Sequence, residues 1–442
     1  LAGFIFDTSI DSSETLSRAL DRISHRGQHR ETFRVGKYFL GIVYSDEDYF
    51  ELTDMHLYLI DGYLFDKPAG IKLFKDRHFN EVNGGWAGLI VDFQNQVVTV
   101  ARDRWGEAPA YYNLEPHFAI ASERKAFLDT KTNPIEAKLL ITRRYLDYDY
   151  ENKTTNIVEY YTVPQYESNL ESFEEASVSN RRFSELAVDG LLKTSSNIGV
   201  TIGGIDSSSV AYMLSERGVE YSMFSVSIGD SKLKRSDLYT ARRLAEFLNH
   251  DLIEVILEEE EILESLKLYS YICEEPSWVD VSVTSCFYEL ASRAKLLGVT
   301  SMFTGMGVDV QFGSSEITEA FYYDPKKFIA KRWKDMTFID SSPVALDLNK
   351  SLLFGGGILE KTPFIEYGFV DHALSVPVEY RKVAGKNKAT FRNAFKGSMP
   401  DDLIYRPKIN SMKGSNMFDN FKGFGKEAYK TMYRETFDNA IK

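Results

Sequence analysis

Gly203-Gly204-Ile205-Asp206-Ser207-Ser208-Ser209 follows an apolar run at residues 198–202 and leads into helical spacing at Val210, Ala211 and Leu214. A strand that breaks through glycines into a helix N-terminus presents backbone N–H groups and a positive dipole end, a seat for a phosphate. Glycine keeps Cβ atoms out of the anion's approach. No lysine sits in the turn and no Gly-Lys-Ser/Thr follows, so the loop is not of the Walker type. A second strand end, Thr304-Gly305-Met306-Gly307-Val308-Asp309, supplies another carboxylate. Taken singly, Asp206 and Asp309 are each explained as caps of the helix behind them. As a pair at neighbouring strand ends they suit one Mg2+ already bound to a nucleotide's phosphates. Lys408, within Tyr405-Arg406-Pro407-Lys408-Ile409, adds a cation in an irregular stretch before Gly414 and Ser415. Alone, such a lysine reads as solvated.

The elements that must position these groups fall into two rhythms. Residues 1–165 read as an antiparallel β domain with helices: a helix at 13–23 and strands at 1–6, 38–44, 55–60, 86–93, 97–101 and 118–121. Asp61-Gly62, Asn83-Gly84-Gly85 and Gln94-Asn95 read as turns between them. An acidic stretch near residues 160–180, poor in aliphatics, reads as the connection. Residues 166–442 then alternate strand and helix, with strands at 198–202, 223–228, 252–257 and 300–304 and helices at 207–217, 238–249 and 286–297. That alternation predicts a parallel sheet whose ligands collect at the carboxyl ends of the strands.

A chain of 442 residues, 43% apolar and 26% charged, has the means for two cores. A net charge of −13 excludes a long basic track for nucleic acid. No run approaches a membrane span and no signal peptide is visible, so the expected setting is cytoplasmic, with no membrane partner. The two cysteines, Cys273 and Cys286, are too few for a disulfide framework or a metal cluster and read as buried core thiols.

Taken together, the short motifs identify a resemblance to the asparagine synthetase superfamily along essentially the whole chain. Leu1-Ala2-Gly3-Phe4-Ile5, His25-Arg26-Gly27, Ala101-Arg102-Asp103-Arg104-Trp105-Gly106, Ala110-Tyr111-Tyr112 and Ala121-Ser122-Glu123-Arg124-Lys125-Ala126 carry it in the first half. Gly203 to Ser207, Ser227-Ile228-Gly229, Thr304 to Asp309, Glu360 with Pro363-Phe364, and Arg406 with Lys408 carry it in the second. The resemblance implies an α+β, Ntn-hydrolase-like glutamine-amidotransferase domain of αββα type joined to an α/β adenine-nucleotide α-hydrolase-like domain. It implies ATP and Mg2+: Ile202, Gly203, Gly204, Asp206, Ser207, Ile228, Thr304 and Gly305 around the nucleotide, Asp206 and Asp309 on the metal, and Lys408 as the catalytic cation on the developing oxyanion. The substrate would be a small-molecule or peptide carboxylate, activated as its adenylate and then joined to an amine; homo-oligomer formation is left open.

Departures from the family pattern refine this. A glutaminase of this type needs a nucleophile at its first residue; Leu1 is none, and a Cys-Gly ahead of it stays open. The Arg expected in the glutamine pocket is not evident around Gly41-Ile42-Val43. The glutamine-holding Asn-Gly-Glu is Asp61-Gly62-Tyr63 here. The first domain is therefore expected to be a scaffold, as in the β-lactam, carbapenam and macrolactam synthetases of antibiotic and peptide biosynthesis, which take the amine from the substrate itself. The β-lactam branch has Tyr where this chain has Met306, and no glutamate stands between residues 345 and 355 to partner it as a base. Ile202 replaces the loop's first Ser and Val310 an acidic residue. An asparagine synthetase using glutamine or ammonia, and a non-catalytic homologue that only binds, are the rival readings.

Overall fold

A computed structural model describes residues 2–162, 172–229, 236–275, 277–313, 344–407 and 426–438. Two six-stranded antiparallel sheets form the first half. One runs Lys138–Leu139, Tyr111–Asn113, Ala119–Ala121, Gly3–Asp7, Tyr38–Tyr44, His29–Val35; the other runs Thr154–Glu159, Arg144–Asp149, Val97–Arg102, Gly84–Asp92, His56–Leu64, Tyr49–Leu52. Strand side chains alternate between faces, so Phe4, Phe6, Leu40 and Ile42 meet Leu57, Leu59, Leu89 and Val100 between the sheets. The opposite faces pack under the helices Ser13–Arg22 and Lys67–Lys75, through Leu16 and Leu20 on Ile5 and Phe39, and through Phe74 on Trp86 and Ile90. Ser12 and Asp66 cap those helices by accepting from Thr15 N and Ala69 N.

The predicted turn at Asp61-Gly62 is not a turn. The strand His56–Leu64 runs straight through it. Asp61 is buried and paired at 2.5 Å with the guanidinium of Arg26, which also reaches Glu123 and the Ala2 carbonyl. Gly62 adopts φ +115° and lies where a Cβ would stand 2.1 Å from the Gly85 carbonyl. An Asp-Gly pair is a local turn signal, and a buried guanidinium overrides it. The expected connection near 160–180 is also revised. Its second half is the start of the helix Phe173–Leu192, capped by Ser172, and the boundary at 165 lies outside the described residues.

The second half holds a five-stranded parallel sheet in the order Leu252–Leu257, Tyr221–Ile228, Ile198–Thr201, Ser301–Phe303, Leu359–Lys361. The chain steps one way from Ile198–Thr201 to Tyr221–Ile228 and the other way to Ser301–Phe303. That reversal opens a crevice at the carboxyl ends of the two strands that carry the glycine motifs. Helix Trp278–Leu296 covers one face together with Val344–Gly356, and a Cβ on Gly355 would stand 2.7 Å from the Tyr288 carbonyl. Cys273 and Cys286 are buried thiols outside any disulfide, as expected. Among the described residues no helix is long and apolar enough to cross a membrane.

The halves share a core. Tyr63, Phe65 and Trp105 of the first pack in one apolar cluster with Val200, Phe303, Phe364 and Tyr367 of the second. Polar bonds cross the same boundary: Asn83 Nδ2 donates to Glu366 Oε1 at 2.7 Å, Lys125 N to Glu274 Oε1 at 2.7 Å, and Lys350 Nζ to the Tyr111 hydroxyl at 2.9 Å.

Arg26 supplies a test. Burial lifts the Asp61 carboxyl to about 6 even with Arg26 beside it. A carboxyl raised on folding favours the folded state fully below its unfolded range and progressively less as pH rises through the folded value. Arg26→Met, which strands Asp61 and Glu123, is expected to cost about 3–5 kcal/mol. The deficit should be larger at pH 8 than at pH 5 in urea titrations.

Candidate active site

Backbone geometry builds the first loop. After Thr201 the chain passes through Ile202 and Gly203, and Gly204 caps the helix Ile205–Glu216 in extended conformation, φ −122°. Gly203 N–H donates to Ser207 Oγ at 2.9 Å, while the Ser207 hydroxyl leans on the Gly204 carbonyl at 3.2 Å. Arg406 ties the loop from outside, donating to the Gly203 carbonyl at 2.6 Å and to Asp237 Oδ1 at 2.9 Å. A Cβ on Gly204 would meet nothing within 4 Å, so its bare face opens onto the crevice.

Gly305 makes the two loops one site. A Cβ there would lie 2.4 Å from Ser207 N and 2.9 Å from Asp206 Cβ. Only glycine lets the second strand end rest on the first turn of the helix. Asp206 and Asp309 therefore converge, as expected, and what stands between them is the ammonium of Lys388. Its Nζ lies 2.5 Å from Asp206 Oδ2 and 2.7 Å from Asp309 Oδ1. Lys388 is fully buried, with φ +53°, at the start of the short helix Ala389–Asn393. Asp206 Oδ1 is buried with no hydrogen-bond partner. An orphaned carboxylate oxygen beside a second carboxylate is a donor set that fits Mg2+, whose remaining positions would come from phosphates and water. Among the described residues no cluster of three or more His, Cys, Asp or Glu exists to hold a metal alone.

Thr201 to Ser207, Thr304 to Met306, Asp309, Lys388, Arg392, Arg406 and Pro407 surround one open cavity. Its far wall is apolar: Val226, Phe287, Met306 and Leu348. Ile228 is buried at the end of its strand, and Val226, two residues earlier, is the side chain on the wall. Burial pulls the Arg392 guanidinium below its ordinary value, against the raising effect of Asp206 and Asp309. Lys408 lies outside the described residues.

Sequence reasoning missed Lys388 and Arg392. No local signal marked Lys388, which stands at φ +53° ahead of the helix Ala389–Asn393 that carries Arg392. Glu360, read from the sequence only as a motif residue, accepts from the hydroxyl of Thr304, which lines the cavity, at 2.9 Å. The Asn-Gly-Glu counterpart serves the interior: Asp61 holds Arg26, and the Tyr63 hydroxyl accepts from Thr362 N at 3.1 Å in the other half.

A profile of the asparagine synthase family matches residues 185–354 and 356–437, more than half of the chain. The chain belongs to the asparagine synthase family. A glutamine amidotransferase domain profile matches residues 72–181. The two-sheet first half and the parallel-sheet second half are thus the amidotransferase-type and synthase-type units that the sequence implied. A putative glutamine-hydrolyzing asparagine synthetase of Methanocaldococcus jannaschii is 26% identical over 398 residues, covering 79% of this chain and 72% of that protein. The human glutamine-hydrolyzing asparagine synthetase is 25% identical over 436 residues, covering 87% and 75%. Against the second Oryza sativa enzyme of that name identity is 24%, covering 78% of this chain and 60% of the relative. A solved glutamine phosphoribosylpyrophosphate amidotransferase from B. subtilis aligns with 58% of this chain and 81% of its own at 13% identity and TM-score 0.28, too loosely to bear on the site.

The contact at Gly305 is directly testable. Gly305→Ala is expected to lose about 1–3 kcal/mol of stability through overpacking, and ATP–Mg2+ should give no binding heat. Gly204→Ala is expected to melt with the wild-type chain; equal destabilisation by both would remove the special role of Gly305.

Proposed function

We propose that this chain is an ATP-dependent, AMP-forming amide synthetase. A substrate carboxylate attacks the α-phosphorus of ATP, pyrophosphate leaves, and an amine then displaces AMP to form an amide. The observation that carries this reading is the convergence of Asp206 and Asp309 on one cationic position beside a glycine-opened helix N-terminus. Asp206 and Asp309 would hold Mg2+, which supplies positive charge to the triphosphate when bound. The loop N–H groups of Gly203 to Ser207 cradle the phosphates, and Thr304 and Gly305 border the nucleotide. Lys388 would exchange its two carboxylates for a phosphate oxygen as the nucleotide enters. Lys408 is proposed to serve the second half-reaction, through the oxyanion formed as the amine adds.

The amine is proposed to come from the substrate itself, so that the product is a lactam and glutamine is not hydrolysed. Asp61 and Tyr63 support this, because both are engaged inside the protein where a glutamine-binding pair would have to face solvent. The apolar wall of Phe287, Met306 and Leu348 suits an acid with an apolar body. The rival, an asparagine synthetase fed by glutamine or ammonia, is favoured by the amidotransferase match and by the names of the relatives.

Two assays decide between them. Pyrophosphate exchange into ATP, screened over amino acids, β-amino acids and peptides with a free carboxylate, is expected to find a substrate and to vanish in Asp206→Asn; exchange at the wild-type rate in that variant overturns the assignment. Glutamate release from glutamine is expected to be absent, and its appearance with asparagine formation from aspartate selects the rival. Lys388→Met, by losing one charge-assisted bond to phosphate of roughly 1.5–3 kcal/mol, is expected to weaken ATP–Mg2+ binding on the order of ten- to a hundredfold in calorimetry.

A further inference from the structure

A second group of buried acids lies where the two halves meet. Glu107 follows Trp105 and Gly106 in the first half, and Glu360 is the middle residue of the strand Leu359–Lys361; they are 6% and 1% exposed. The Thr362 hydroxyl is 3.0 Å from Glu107 Oε2 and 3.4 Å from Glu360 Oε1. The Thr304 hydroxyl donates to the same Glu360 oxygen, and Thr304 is on the wall of the nucleotide cavity. Tyr63 closes the other side, its hydroxyl accepting from Thr362 N and lying 3.4 Å from the Thr362 carbonyl.

One threonine hydroxyl has one hydrogen, so Thr362 can serve only one of the two carboxyls at a time, while the Thr304 hydroxyl serves Glu360. Two buried carboxyls held against one hydroxyl repel each other when both are ionised, and the charged neighbours do not cancel that repulsion. Burial, Glu360 and Asp103 oppose ionisation of Glu107, Arg102 favours it, and the balance stays on the raised side. The ammonium of Lys361, the next residue, is bonded to the Thr194 carbonyl at 3.2 Å. Asp206 and Asp309 share the ammonium of Lys388 on the cavity that Thr304 also lines. Like charges this close in an apolar site do not both form, and the pair titrates as a unit.

We propose that Glu107 and Glu360 form one carboxyl pair that stores a proton and exchanges it with the nucleotide cavity through the Thr304 hydroxyl, so that the amidotransferase-type half supplies a proton-handling group to the synthetase chemistry. The direction of transfer rests on the amide-forming reading above. As the amine nitrogen bonds to the acyl carbon, the bond to AMP breaks and its electron pair leaves with AMP. The nitrogen's proton passes to Thr304 Oγ1, and the Thr304 hydrogen passes to the ionised Glu360. Glu107 acts as a positioning residue: protonated, it donates toward Thr362 and turns that hydroxyl onto Glu360. Burial lifts Glu360 to about 8, and burial with the Glu360 charge holds Glu107 well above the usual carboxyl range, so the accepting form of Glu360 appears as pH rises through 8. The second half would then have its base tuned by a residue that the first half contributes.

Infrared difference spectra of the full chain without added ligand test the pair independently of any substrate. Wild type is expected to show the carbonyl stretch of protonated carboxyls at pH 7, part of it lost through about pH 8. Glu107→Gln and Glu360→Gln should each remove part of that intensity and the double variant all of it, with thermal melts confirming folding. In Glu360→Gln the Glu107 band should titrate at lower pH than in wild type, because the like charge is gone. Thr304→Val should slow the deuterium shift of the band after transfer to D2O. No protonated-carboxyl band at pH 7, an unmoved Glu107 titration or unchanged deuterium exchange overturns the proposal. Once exchange has identified an acid, product formation from a protonated alkylamine should fall roughly ten- to a hundredfold in Glu107→Gln relative to formation from hydroxylamine, which is neutral at pH 7. An equal fall with both donors also overturns it, whereas failure to find any acid strikes only at the amide-forming reading.

Discussion

Electrostatic balance at one point governs this molecule: two aspartates from separate strands face the same small volume, and an ammonium fills it. Like charges at that separation would push the loops apart in an apolar crevice. Lys388 neutralises them, and the glycine at 305 lets the backbone approach closely enough for the arrangement to exist. A site held by an internal cation is pre-organised for an external one. The carboxylates are already oriented, and on the proposed reading the lysine would pass to a phosphate as a metal-chelated nucleotide enters.

The first half contributes by being welded to the second. Tyr63, Phe65 and Trp105 sit in the apolar cluster of the parallel sheet, and Glu107 bonds to the residue after its last strand. Asp61 neutralises a guanidinium within the first half and Tyr63 bonds backbone across the boundary, so both side chains serve cohesion.

Much of the architecture was legible because periodicity is local. The strand Leu252–Leu257 and the strand Tyr38–Tyr44 stand where alternation and apolar runs placed them, and the helices expected from 207 and 238 begin one or two residues earlier, at Ile205 and Asp237. The site was legible as far as glycine and aspartate announce strand ends. What escaped depends on partners distant in sequence. The Asp61-Gly62 pair reads as a turn until Arg26, 35 residues away, is known to lie against it. Lys388 is 182 residues from Asp206, and Glu107 is 255 from Thr362. No window of sequence contains either pair. Short, polar elements such as Leu359–Lys361 carry too few apolar positions to show a period at all.

The close approach of helix Trp278–Leu296 to helix Val344–Gly356 has a consequence for how the protein tolerates change. At Gly355 the missing Cβ lets one helix rest on the Tyr288 carbonyl of the other, with the Ala291 methyl and the Tyr288 ring filling the rest of the gap. Phe287 and Leu348, one from each helix, form the apolar wall of the crevice. Their spacing is fixed by a contact that cannot widen gradually. Variation in what the crevice accepts must then come by exchanging the wall residues themselves, and the frame behind them stays put like the jaws of a locked vice.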